Sequence, residues 1–186
     1  MENKKIAKYE LSFIGGEAKV NRYYNQDESK FIDIFISKNG YFSTGITCAT
    51  IGLNSLNIGL VNDGKEIKIE LIALGMSDEF KIENIIATCA FEIIDFGTCY
   101  YGMIIPDVVT YYVKNTEMKH ILLLSPIFWE KYIPLEGDNE IVSWLLLIPI
   151  SNGEAQYIQE QGVDAFDRLL EEKEVNIADY KRKSIV

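Results

Sequence analysis

The sequence predicts a single α/β domain of the α+β kind, residues 1–186, built on a mixed, mainly antiparallel β-sheet flanked by helices. Three observations carry this reading. Segments rich in β-branched and aromatic residues alternate with turn signals through the first third of the chain. A wide apolar stripe with helical period follows at residues 82–94, and two near-continuous apolar runs, 119–125 and 141–150, are short for helices. With 186 residues and 48% hydrophobic content, the chain has enough material for one sizeable core.

In chain order, residues 3–13 set Ile6, Tyr9 and Phe13 at helical spacing, with Gly15-Gly16 as the stop. Strands are expected at 18–24, 31–37 and 41–51. The first two are separated by Asn25-Gln26-Asp27, the second and third by Lys38-Asn39-Gly40-Tyr41, which has the form of a two-residue hairpin. Residues 66–74 alternate Ile67, Ile69, Leu71 and Ala73 against Lys68 and Glu70, a strand entering a covered part of the sheet and ended by Gly75. The helix that follows carries Ile82, Ile85, Ile86, Cys89, Ala90, Ile93 and Ile94 on one side, with Ser77 or Asp78 as its cap. The runs at 119–125 and 141–150 read as central strands covered on both faces, Pro149 standing at the exit of the second. Ser151-Asn152-Gly153-Glu154 is a capping-box pattern opening a helix to about Gln161, and a last helix at 163–172 turns Val163, Phe166, Leu169 and Leu170 inward. Trp129 and Trp144 are read as core residues.

Composition narrows the function. Mean hydropathy of +0.02 and 12% aromatic residues are unlike a disordered chain. A formal charge of −10 and a pI near 4.6 repel phosphate backbones and anionic lipid, so the expected partner is a basic protein, with no direct nucleic-acid or membrane binding. The longest charge-free run, 39–62, is interrupted by glycine, asparagine and hydroxyl residues and reads as strands rather than a membrane span. The first ten residues lack the apolar segment of a secretory signal, and Cys48, Cys89 and Cys99 show no paired spacing, which together lead us to expect a cytoplasmic protein with buried thiols.

Recognisable chemistry is sparse. His120 is the sole histidine and begins an apolar strand, so it is read as structural; no zinc, EF-hand or phosphate-loop spacing is present, and no cofactor is expected. Two of the 28 acidic residues could still converge as a hydrolase pair, a reading that sequence spacing neither favours nor removes. The acids are unevenly distributed: residues 136–174 hold ten against two basic residues. This stretch is either a solvated outer face or a docking surface for a cationic protein. Its candidate partner-binding residues are Asp164, Asp167, Glu171 and Glu172, the first three at spacings that give one helical stripe.

The run from Ile141 through Pro149-Ile150 to Glu154, then Tyr157-Ile158, Gly162-Val163, Leu169-Leu170 and the ending Arg182-Lys183-Ser184-Ile185-Val186, resembles the C-terminal signature of the suppressor of fused domain family. There an apolar strand ends in Pro-Ile, a Glu-containing helix follows, and an Arg-x-Ser-apolar-apolar tail closes the domain. Upstream, Phe31-Ile32-Asp33-Ile34, the Thr-rich strand 44–50, Gly75-Met76-Ser77, the helix before Phe91, Met118-Lys119-His120-Ile121 and Pro126-Ile127-Phe128-Trp129 resemble its small bacterial members. The resemblance implies a one-domain protein without catalytic residues that binds another protein. Small bacterial members are similar to antitoxins, or immunity proteins, encoded beside secreted polymorphic toxins with LXG-type export regions, many ending in nucleases. The expected role is therefore neutralisation of a cognate toxin by direct binding, the alternative being a regulatory scaffold for an endogenous partner such as a transcription factor.

Overall fold

A computed structural model describes residues 1–126 and 133–186. Trp129, with Ile127 and Phe128 of the motif quoted above, lies outside the described residues. Helix α1, Asn3–Ile14, precedes strands β1, Glu17–Tyr24, β2, Phe31–Lys38, and β3, Ile46–Ile51. Short β4, Val61–Asn62, turns into β5, Lys65–Gly75, and helix α2, Ile82–Phe96, follows. Then come β6, Ile104–Ile105, α3, Val108–Tyr112, β7, Met118–Leu124, β8, Leu135–Glu136, β9, Glu140–Ser151, α4, Asn152–Gln161, and α5, Val163–Glu172. Among the described residues the strands form one sheet in the order β1-β2-β3-β5-β9-β7-β6, with β4 on β5 and β8 on β9. Every pairing is antiparallel except β5 with β9.

Residue parity explains the two apolar runs. In β9, Val142, Trp144, Leu146, Ile148 and Ile150 pack with α1, α4 and α5, whereas Leu145 and Leu147 face the opposite core under α2 and α3. β7 divides in the same way, Leu122 and Leu124 against Ile121 and Leu123. Both faces are covered, so both parities are apolar.

Four local expectations change. The hairpin between β2 and β3 has a seven-residue loop, because the chain runs against the end of α1: the Tyr41 amide donates to Ile14 O at 2.7 Å. A Cβ on Gly40 would lie 2.6 Å from that same oxygen, so this turn residue is a close-approach glycine. β3 therefore begins at Ile46, not at Tyr41. Ser77 caps the short 3₁₀ turn Asp78–Phe80, and α2 starts from Lys81 in the left-handed region with no side-chain cap. Pro149 lies inside β9 rather than at its exit, opposite Ile121 of β7 and past Leu147, the last residue of β9 paired with β5. Glu70 is fully buried rather than outward, since α1 covers its face of the sheet.

The tail closes the domain through one buried ion pair. Arg182 donates from Nη1 to Glu154 Oε1 at 2.6 Å, and from Nη2 to Glu154 Oε2 at 2.9 Å and to Pro149 O at 2.7 Å. Glu154 also accepts from the amides of Ser151 and Ile185, while Ser151 Oγ receives the Glu154 amide and meets Ser184 Oγ at 2.8 Å. The Pro-Ile, Glu and Arg-x-Ser parts of the C-terminal pattern are thus one lock. Gly75-Met76-Ser77 joins it to the sheet, with the Met76 amide donating to Ala178 O at 3.1 Å.

Candidate protein-binding surface

The acidic candidates stand on α5, whose Phe166 and Leu170 are buried and whose opposite side faces out. Asp164 and Asp167 are brought together as their three-residue spacing requires, and both accept from the Tyr101 hydroxyl, at 3.3 and 3.1 Å. Partial burial, and then these two carboxylates, push the Tyr101 phenol far above its usual range, so it remains a donor. Tyr101 is 63 residues from Asp164, and nothing in the linear pattern announces it. Glu171 and Glu172 are exposed on the last turn.

The rest of the acidic stretch does not form one surface. Glu154 is buried in the lock. Glu136 pairs with Lys65 at 2.9 Å and Glu140 with the amino group of Met1 at 2.6 Å, both cations from outside the stretch. The exposed excess is left mainly with α5 and its flanks, Glu160, Asp164, Glu171, Glu172 and Glu174 with half-buried Asp167, against Arg168 and Lys173.

Beneath α1 lies a second polar site that the sequence reading missed. Glu70 accepts five hydrogen bonds: from Thr50 Oγ1 at 2.5 Å, the amides of Gly52, Leu53 and Asn54, and Asn54 Nδ2 at 2.7 Å. Burial pushes its carboxyl up to about 7 despite these donors. Glu10 is also fully buried and accepts from Trp144 Nε1 at 3.1 Å, its other oxygen having no partner among the described residues. Desolvation, with the charge of Glu70, raises it well above the carboxylate range. Glu10 sits four residues after Ile6 and three before Phe13, so the helical period already pointed it inward. Both acids fix structure: one ties the β3–β4 connection to the sheet, the other seats α1 on Trp144.

His120 has a comparable task. Its Nδ1 accepts from the Asp107 amide at 3.0 Å, so Nε2 carries the hydrogen and donates to Asn152 Oδ1 at 2.7 Å, joining the starts of α3 and α4 to β7. The three cysteines are free and buried, with thiols raised by burial, Cys99 to about 12. Among the described residues no group of three or more His, Cys, Asp or Glu side chains is placed to hold a metal, and no described helix is long and apolar enough to cross a membrane.

The fold, a helix-covered mixed sheet closed by its own tail, is that of suppressor of fused domains. A homologue of suppressor of fused from Neisseria gonorrhoeae FA 1090 superposes with a TM-score of 0.70 at 16% identity, over 99% of this chain and 96% of that one. A chain of the Sufu–Fu complex gives 0.68 at 10% identity, over 97% and 91%. Drosophila Suppressor of Fused gives 0.59 at 11% identity, over 83% of this chain but 42% of the Drosophila one. The chain belongs to the suppressor of fused family, whose model, described as Suppressor of fused protein (SUFU), matches residues 29–183. Among curated proteins, Immunity protein YqcF of Bacillus subtilis (strain 168) is 38% identical over 188 residues, covering 100% of this chain and 97% of the relative.

Proposed function

We propose that this chain is an immunity protein that neutralises a cognate toxin, a basic nuclease, by direct binding in the cytoplasm. The observation that carries the reading is the full-length 38% identity to a protein named for immunity. Supporting it, the exposed charge excess on α5 suits a cationic partner, since complementary charge speeds encounter and selects partners. The alternative of an endogenous regulatory partner is left with likeness at 10% identity, which speaks for the fold alone.

Mixed with the purified product of a toxin gene flanking its own, the chain is expected to form a stoichiometric complex in which the toxin is inactive. A toxin fully active at saturating chain, or no flanking toxin gene, overturns the reading. Within it, Asp164, Asp167, Glu171 and Glu172 steer association. The triple variant Asp164→Lys, Asp167→Lys, Glu171→Lys is expected to lower the association rate by at least about tenfold at low salt, with the difference shrinking as salt rises. An unchanged rate removes α5 from the interface.

A further inference from the structure

A cleft lined by aromatic side chains lies on a face remote in sequence from the acidic helix. The turn after β1, the outer stripe of α2 and helix α3 enclose a cleft of about 800 Å³. Among the described residues five aromatic rings and three carboxylates line it, and no basic residue does. Tyr24 and Tyr111 are 55% and 67% exposed, each presenting a flat apolar ring to solvent, whereas Tyr180 is fully buried. Their neighbour Tyr112 is held by a 2.7 Å hydrogen bond between its hydroxyl and Thr88 Oγ1, so the wall is rigid behind the open rings. On the rim Asp95 is engaged by Lys30, whereas Glu92, exposed on α2, has neither an ion pair nor a hydrogen bond among the described residues.

What such a cleft would hold is illustrated at its edge, two residues before Tyr24 on β1. The Arg22 guanidinium lies 3.9 Å from the centroid of the Phe31 ring while forking onto Asp33 at 2.8 and 2.9 Å. An aromatic face and a carboxylate together satisfy one guanidinium there. The cleft offers the same two elements, exposed rings and the Glu92 carboxylate, and the cations at its edge are already engaged, Lys30 by Asp95 and Arg22 by Asp33. Its charge excludes a phosphate or an acidic peptide, and its rings distinguish it from the α5 stripe, where carboxylates dominate.

We propose that this cleft receives arginine side chains of the partner protein, so that α5 steers the encounter while the tyrosine cleft anchors the complex. The inference rests on the immunity reading for the identity of the partner, and on the cleft alone for its chemistry. Planar guanidinium stacks on rings better than a compact, strongly hydrated ammonium does, which gives a signature that simple charge attraction lacks.

The probes are fluorescein-labelled peptides of four Gly-Arg-Gly repeats and their lysine counterparts, read by fluorescence anisotropy on the full chain. The arginine probe is expected to bind about fivefold tighter than the lysine probe. Tyr24→Ala with Tyr111→Ala should abolish that preference, Glu92→Lys should weaken both probes, and the triple lysine variant of α5 should keep the preference. Each variant is to be matched to wild type in melting temperature, and any that unfolds is replaced by Tyr111→Ser alone. Equal affinity for the two probes, no measurable binding of either, or a preference surviving loss of the rings overturns the proposal. Cells challenged with the flanking toxin separate the two readings. Failure of the wild-type chain to protect overturns the immunity reading, whereas protection undiminished in the tyrosine variant overturns the cleft alone.

Discussion

Two buried acidic sites touch β9 within a few residues of each other, and they handle charge in opposite ways. At Pro149 and Ser151, Glu154 is met by a guanidinium on both oxygens and by two backbone amides. At Trp144, Glu10 has a single donor and lies close enough to Glu70 to feel its charge, with no cation in either set of hydrogen bonds. The first site is electrically closed and locks the tail. The second carries an uncompensated cost whenever both carboxyls ionise, because desolvation is offset by dipoles alone. Burial of an acid therefore says little about its contribution until its partner is known.

The largest effect expected from breaking this contrast is at the lock. Arg182→Ala leaves Glu154 buried and unpaired, and should cost about 3–5 kcal/mol in denaturant unfolding at pH 7. A loss under about 1 kcal/mol would mean that water replaces the guanidinium. Apolar truncations on the two faces of the sheet supply the yardstick. Leu146→Ala beside Trp144 and Ile86→Ala on the inner face of α2 should each cost about 2–5 kcal/mol, and values below about 0.5 kcal/mol would contradict their complete burial.

The site under α1 should show itself through pH instead. Below the ordinary carboxyl value of 4.5, folded and unfolded chains both hold the Glu70 proton, so this group makes no difference to stability. As pH rises from there to about 7, the folded chain keeps a proton that the unfolded chain has lost, and stability falls. The full decrease from Glu70 is about 3 kcal/mol, reached above that window. Glu10, also raised, acts in the same direction, and Glu10→Gln should flatten the decline at high pH while leaving stability at pH 4 unchanged. Urea midpoints measured from pH 4 to 8 test both, and a stability that rises over that range would refute the assignment. The smallest effect is at the rim of the lock, where Ser184→Ala removes the 2.8 Å contact with Ser151 and should cost about 1 kcal/mol.

Much of the architecture was legible because it is periodic. Gly15 does end α1, Ser151 and Glu154 do form a reciprocal cap, and the double-faced apolarity of 141–150 does reflect a strand covered on both sides. The short strands β4, β6 and β8 and the five-residue helix α3 carry too few residues to show a period, and they exist because neighbouring chain pairs or packs with them. The Asn39-Gly40 turn misled for a related reason: a glycine suited to a tight hairpin is equally suited to close approach, and only the position of α1 decides between them. Counting charge pointed to the exposed acids of α5 but overstated the patch, since Glu136, Glu140 and Glu154 are neutralised by Lys65, Met1 and Arg182 from distant parts of the chain.

By itself, then, the sequence determined which faces of which segments are apolar, where α1, α4 and α5 start and stop, and the family pattern of the C-terminal third. Each of these depends on residues within a turn or two of one another, where periodicity and capping act. Only the tertiary structure decided what the charges do: that Glu154 is a lock, that Glu10 and Glu70 are buried within range of each other's charge, that Asp164 and Asp167 hold Tyr101, and that tyrosines from β1 and α3 line one cleft with α2. The energy of a charge or an open ring is set by what lies within a few ångströms, and those neighbours come from residues tens of positions away in the chain.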